Sequence, residues 1–136
     1  MTTMKLLAAV LLAPLAVAPI KPPAAHVVTS TGRHQLGYSS YCWTAKKRSV
    51  CADSIAPHCK GVAAAPMIRV RRGERVRFEL GFVPRSVSLS VANGPSVNLS
   101  TTRHPTWRAN RAGPLLLFVD AKTNGDASYV ACIVFR

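Results

Sequence analysis

Three observations predict an all-β chain, an antiparallel β-sandwich of the immunoglobulin-like kind with about seven to nine short strands, stapled by disulfides. Apolar and charged residues alternate with period two through the middle of the sequence: positions 68, 70, 76, 78, 80 and 82 are apolar, and positions 69, 71, 75, 77 and 79 are charged. Turn residues recur about every ten positions, and no helical period persists for three turns. Four cysteines at 42, 51, 59 and 132 are spaced for pairing across such a fold.

Residues 1–25 read as a secretory leader. Lys5 precedes an apolar run over residues 6–20 broken by Pro14 and Pro19, shorter than the roughly 20 residues a membrane span requires and followed by small residues. Ala16-Val17-Ala18 completes an A-x-A site but leaves Pro19 behind the cut, whereas cleavage after Ala25 avoids that proline. An uncleaved N-terminal anchor is the alternative. Residues 26–36 are polar and mixed, with Thr29-Ser30-Thr31-Gly32, and read as a flexible arm before a sandwich domain over 37–136.

The first strand pair is expected around Cys42 and Cys51. If these residues face each other, Trp43 faces Val50 and Thr44 faces Ser49, which leaves residues 45–48 as a four-residue loop. Directly opposed residues are close enough for a disulfide, and Trp43 then projects to the opposite face, into a core. Residues 54–66, with Pro57 and Pro66, form a connection. The alternating runs on either side of Gly73 follow, and their parity alone leaves open whether they pair as a hairpin or cross between two sheets. Residues 85–91 alternate again, Ala92-Asn93-Gly94-Pro95 is a turn, and Val97 and Leu99 suggest a short strand. Trp107 is assigned to the core, as are Leu115 and Leu117. The last strand, after the turn at Thr123-Asn124-Gly125-Asp126, is apolar on both sides and therefore central and covered on both faces.

Counting from His26, the chain carries 16 lysines and arginines against 5 aspartates and glutamates, and 12 of the 16 are arginine. A charge of that sign attracts polyanions and anionic membrane surfaces, and it also serves solubility. Hairpin geometry pairs Cys42 with Cys51 and leaves Cys59 for Cys132, as expected in an oxidising compartment. Zinc is disfavoured, because no cysteine pair has C-x₂₋₄-C spacing and His58-Cys59 lacks partner ligands. No metal or other cofactor is expected.

Tyr41-Cys42-Trp43 with Cys51-Ala52-Asp53, the Val70-x-x-Gly73-x-x-Val76-x-Phe78 stretch, and Gly125-Asp126-Ala127-Ser128-Tyr129 together carry a resemblance. Over most of residues 38–136 the chain resembles a group of uncharacterised exported bacterial β-sandwich domains. The resemblance implies a fold and an extracytoplasmic location, at the cell surface or in the periplasm, and no activity; the pair Cys59 and Cys132 is an addition to the pattern. The stretch around Gly73 is also similar to the opening of blue-copper domains. That reading fails on ligands, because Cys132 is followed only by Ile133, Val134, Phe135 and Arg136. The hairpin beside an indole is similar, too, to that of small secreted immunoglobulin-like chromophore carriers.

Catalysis finds little support. The five carboxylates are unpaired in sequence, with Asp126 expected to bond its own turn backbone. The four histidines are scattered, and Gly94-Pro95-Ser96-Val97-Asn98 lacks the closing glycine of a nucleophile elbow. The functional candidate is basic. Strand alternation projects Arg69, Arg71, Arg75 and Arg77 to one side, and Lys46, Lys47 and Arg48 form a second cluster at the hairpin tip. Arginine forks suit phosphate and carboxylate, although like charges on a sheet also simply deter edge pairing. The expectation is a non-catalytic binding module for an anionic polymer or membrane, with a structural or protein-interaction domain as the alternative and a small secreted hydrolase or inhibitor behind both. Aromatic residues are too few for a nucleic-acid stacking platform, so sequence-specific nucleic acid is not expected as a partner.

Overall fold

The computed structural model describes residues 20–54, 58–61 and 64–136, and among them the chain forms two β-sheets and no helix. Eleven strands run in order: β1 (His26–Thr29), β2 (Gly32–Gln35), β3 (Gly37–Ala45), β4 (Arg48–Ala52), β5 (Met67–Val70), β6 (Arg75–Glu79), β7 (Pro84–Val91), β8 (Val97–Asn98), β9 (Thr106–Arg108), β10 (Gly113–Ala121) and β11 (Gly125–Phe135). One sheet has the order β2-β1-β6-β9; the other has β4-β3-β11-β10-β7-β8, with β5 paired parallel to the end of β11. The sandwich is all-β as the alternation requires, and antiparallel except for the β5–β11 pair.

Parity does its work in β5 and β6. Ile68, Val70, Val76, Phe78, Leu80 and Phe82 are all buried, and the charged residues between them face outward. The two strands nevertheless lie in different sheets. The chain crosses at Gly73, whose φ of 83° suits a residue without a Cβ. This corner is pinned to the residue that follows β9 by Gly73 N–H donating to Ala109 O at 2.7 Å and Ala109 N–H donating to Glu74 O at 2.8 Å. β11 is the central strand, buried from Ala127 to Ile133 and flanked by β10 on one side and by β3 and β5 on the other.

Residues 26–36 are not an arm. They form β1 and β2, and β1 is an internal strand between β2 and β6. Ala25, Val27 and Leu36 are buried, and Leu36 N–H donates to Ala25 O. Upstream, Tyr38 Oη donates to Pro22 O and the fully buried Tyr129 Oη donates to Pro23 O, both at 2.7 Å. Residues 20–25, assigned to the expected leader, are thus part of the packed structure; the remainder of that leader, residues 1–19, lies outside the described residues.

Both disulfides form as expected, Cys42–Cys51 and Cys59–Cys132. The β3–β4 loop is shorter than the spacing suggested. Ala45 pairs with Arg48, so only Lys46 and Lys47 turn, both left-handed at φ 51° and 61°, as in a type I′ hairpin. Trp43 is buried and its ring centroid lies 5.0 Å from that of Phe82. Asp126, expected to bond its own turn, instead accepts from Cys42 N–H across the strands.

Glu74 ties three segments together. Its carboxylate accepts from Ser30 N–H at 2.8 Å, from Ser30 Oγ at 3.1 Å and from Arg71 N–H at 3.0 Å, and Arg136 Nη2 donates to the same Ser30 hydroxyl. Burial opposes its ionisation, but these hydrogen bonds and the nearby Arg136 outweigh it and hold the carboxyl below its usual 4.5. Glu79 is held low mainly by its hydrogen bond from Arg33. A carboxylate with a depressed folded pKa contributes stability above its unfolded value, and that contribution is lost as pH falls through the folded value. Melting temperature is therefore expected to be flat above the glutamate range and to fall below 4.5. Glu74→Gln should melt a few degrees lower at neutral pH and respond less to acid; an unchanged acid slope in thermal melts would locate the sensitivity elsewhere.

Candidate anion-binding face

The crossing at Gly73 divides the four arginines expected on one side. Arg69 lies on β5 of the larger sheet and Arg71 at the corner, whereas Arg75 and Arg77 lie on β6 of the four-stranded sheet. Lys46, Lys47 and Arg48 are exposed at the tip of an edge hairpin of the larger sheet. No single surface holds all seven. The two runs share parity because each points its even residues into the same core from opposite sides.

The four-stranded sheet assembles a different set. Register places Arg75 directly opposite Arg108, and it sets Arg33, Val28, Arg77 and Thr106 in one row across β2, β1, β6 and β9. In the next row His26 lies between Gln35 and Glu79. Arg33, Arg75, Arg77 and Arg108 are all exposed on this outer face. Among the described residues Glu79 is its only carboxylate, engaged by Arg33 Nε at 2.7 Å, while Arg33 Nη2 donates to His26 Nδ1 at 3.2 Å. Arg108 Nη1 donates to Gly73 O at 3.0 Å. Arg75 and Arg77 have no hydrogen-bond or ion-pair partner among the described residues.

The opposite outer face differs in chemistry. It presents Ser86, Ser88 and Ser90 on β7 beside Leu116, Phe118 and Asp120 on β10, with Asp120 bound by Arg85 at 2.6 Å. The asymmetry is a consequence of which strands carry alternating arginine. Sequence reasoning found two of the four residues on the basic face. Arg33 and Arg108 sit in stretches without extended alternation, and only strand register places Arg108 opposite Arg75 and Arg33 in the row of Arg77, one strand beyond Val28.

Four of the five carboxylates are taken up in structural roles: Glu74 with Ser30 and Arg71, Glu79 with Arg33, Asp120 with Arg85, and Asp126 with Cys42 N–H. Among the described residues no three histidines, cysteines or carboxylates gather to hold a metal ion. No family model, curated protein or solved structure matches the chain.

Proposed function

We propose that this chain is an exported, non-catalytic binding module that holds a linear anionic polymer against the outer face of the four-stranded sheet through Arg75, Arg77 and Arg108, with Arg33 at the flank. One observation carries the reading: Arg75 and Arg108 are directly opposed across β6 and β9, with Arg77 next on the same face. Like charges directly opposite one another in a sheet are destabilising. A face that keeps them without a carboxylate between them is arranged for an anion brought from outside. Successive residues on one face of a strand are about 7 Å apart and neighbouring strands about 4.8 Å apart. The forks are therefore spaced to engage several sulfate, phosphate or carboxylate groups along one polymer, each in bidentate fashion. The two disulfides suit an oxidising compartment, which fits export.

The test compares Arg75→Glu/Arg77→Glu/Arg108→Glu with Arg69→Glu/Arg71→Glu/Lys122→Glu. Both change the net charge equally, so diffuse attraction falls equally in both. With heparin and polyphosphate as probes, the first variant should lose at least about tenfold more affinity and its salt slope should shrink by about three counterions. Equal losses in the two variants would show that charge alone is responsible. Selective loss on phosphatidylglycerol vesicles, with heparin binding unchanged, would move the partner to a membrane.

A further inference from the structure

A second recognition feature lies on the inner side of the same β9 edge. β8 has only two residues, paired with Ser88 and Leu89, so the larger sheet stops short there and leaves a gap beside Val91, although Leu89 and Val91 are themselves buried. The gap is a pocket of about 140 Å³ walled by Leu89, Val91 and Val97 and backed by Trp107 from β9 of the facing sheet. Its volume is close to that of an apolar cavity of about 150 Å³ known to take up a benzene ring. Val97 stands at the mouth, 48% exposed.

The polar part of the lining is Asn110 and Arg111. Arg111 makes no ion pair or hydrogen bond among the described residues. Its guanidinium lies against the backbone of Gly94, where a Cβ would overlap Nη1 and stand 2.7 Å from Cζ. Gly94 follows a left-handed pair, Ala92 at φ 53° and Asn93 at φ 56°, but is not itself left-handed. Its own backbone therefore does not call for glycine. The missing side chain makes room for the arginine and for Val91 O, which a Cβ would approach to 3.0 Å.

We propose that this juxtaposition, a ring-sized apolar pocket backed by Trp107 with a seated and unpaired Arg111 at its mouth, binds a small arylcarboxylate. The ring packs against Trp107, Leu89 and Val91, and the carboxylate takes the Arg111 fork, with the Asn110 amide beside it. A polymer of repeated charges has no place here, because the pocket offers one cation beside an apolar wall. The inference is independent of the basic outer face.

Benzoate is the probe, titrated into the oxidised protein at constant ionic strength while the Trp107 indole resonance is followed. A saturable shift is expected. Acetate, which lacks the ring, and benzyl alcohol, which lacks the charge, should each bind at least about tenfold more weakly, since a charge-assisted bidentate contact and a buried ring are each worth that much. Arg111→Gln should weaken benzoate about tenfold while leaving benzyl alcohol unchanged. Gly94→Ala keeps every charge and displaces the guanidinium, with a second tight contact at Val91 O, so it should weaken benzoate more than benzyl alcohol. The proposal is overturned if benzoate leaves the Trp107 resonance unmoved, if acetate matches benzoate, or if Arg111→Gln binds benzoate as the parent does.

Discussion

Replacing Cys59 and Cys132 together by alanine is expected to lower the melting temperature by roughly 15–25 °C. The bridge joins residues 73 apart in sequence, and cross-linking a loop of that length removes about 4.5 kcal/mol of chain entropy from the unfolded state. It also fastens the connection after β4 to the central strand. Among the described residues that connection is otherwise held by few hydrogen bonds, notably Cys132 N–H to Pro66 O at 2.7 Å and Ala65 N–H to His58 O at 2.9 Å. The Cys42–Cys51 bridge spans 9 residues between strands already paired in register. Its removal should cost about 2.7 kcal/mol on the same reasoning. Parallel thermal melts of the two double variants decide the matter. A larger loss for Cys42→Ala/Cys51→Ala would mean that loop entropy is not what the longer bridge contributes.

What the sequence disclosed followed from side-chain periodicity, and what it concealed followed from register. The even positions of β5 and β6, the doubly apolar β11 and the inward Trp43 were all legible, because burial imposes a period of two on each strand separately. Periodicity cannot report which sheet a strand joins. A hairpin and a crossing at Gly73 give the same alternation, so the four arginines looked like one face when they belong to two. β1 and β2 escaped notice for another reason. Each has only four residues, and their inward positions include Thr29, buried through hydrogen bonds with Thr31 and His34 rather than through apolar character. The basic face needed the pairing of β6 with β9, and the aryl-sized pocket needed the shortness of β8. Neither leaves a pattern along the chain.

The same blind spot concealed the role of residues 20–25, whose contribution is carried largely by backbone carbonyls. A chain beginning at His26 is expected to be about 3–6 kcal/mol less stable than one beginning at Pro19. Tyr129 is fully buried and donates to Pro23 O, and the less deeply buried Tyr38 donates to Pro22 O. A buried hydroxyl left without its acceptor costs about 1–3 kcal/mol, and loss of the buried Pro22 and Ala25 exposes apolar core besides. Against a total stability of about 5–15 kcal/mol, the shorter chain would be marginal. If a leader is cut from this protein, cleavage after Ala25 would therefore separate the sandwich from its own clamp, and cleavage after Ala18 would preserve it. Chemical denaturation of the two chains, with both disulfides formed, measures the difference. Tyr129→Phe in the longer chain should reproduce part of this loss, by leaving the Pro23 carbonyl unpaired. If the two chains unfold at the same denaturant concentration, the proline carbonyls are not structural acceptors and the fold begins at β1.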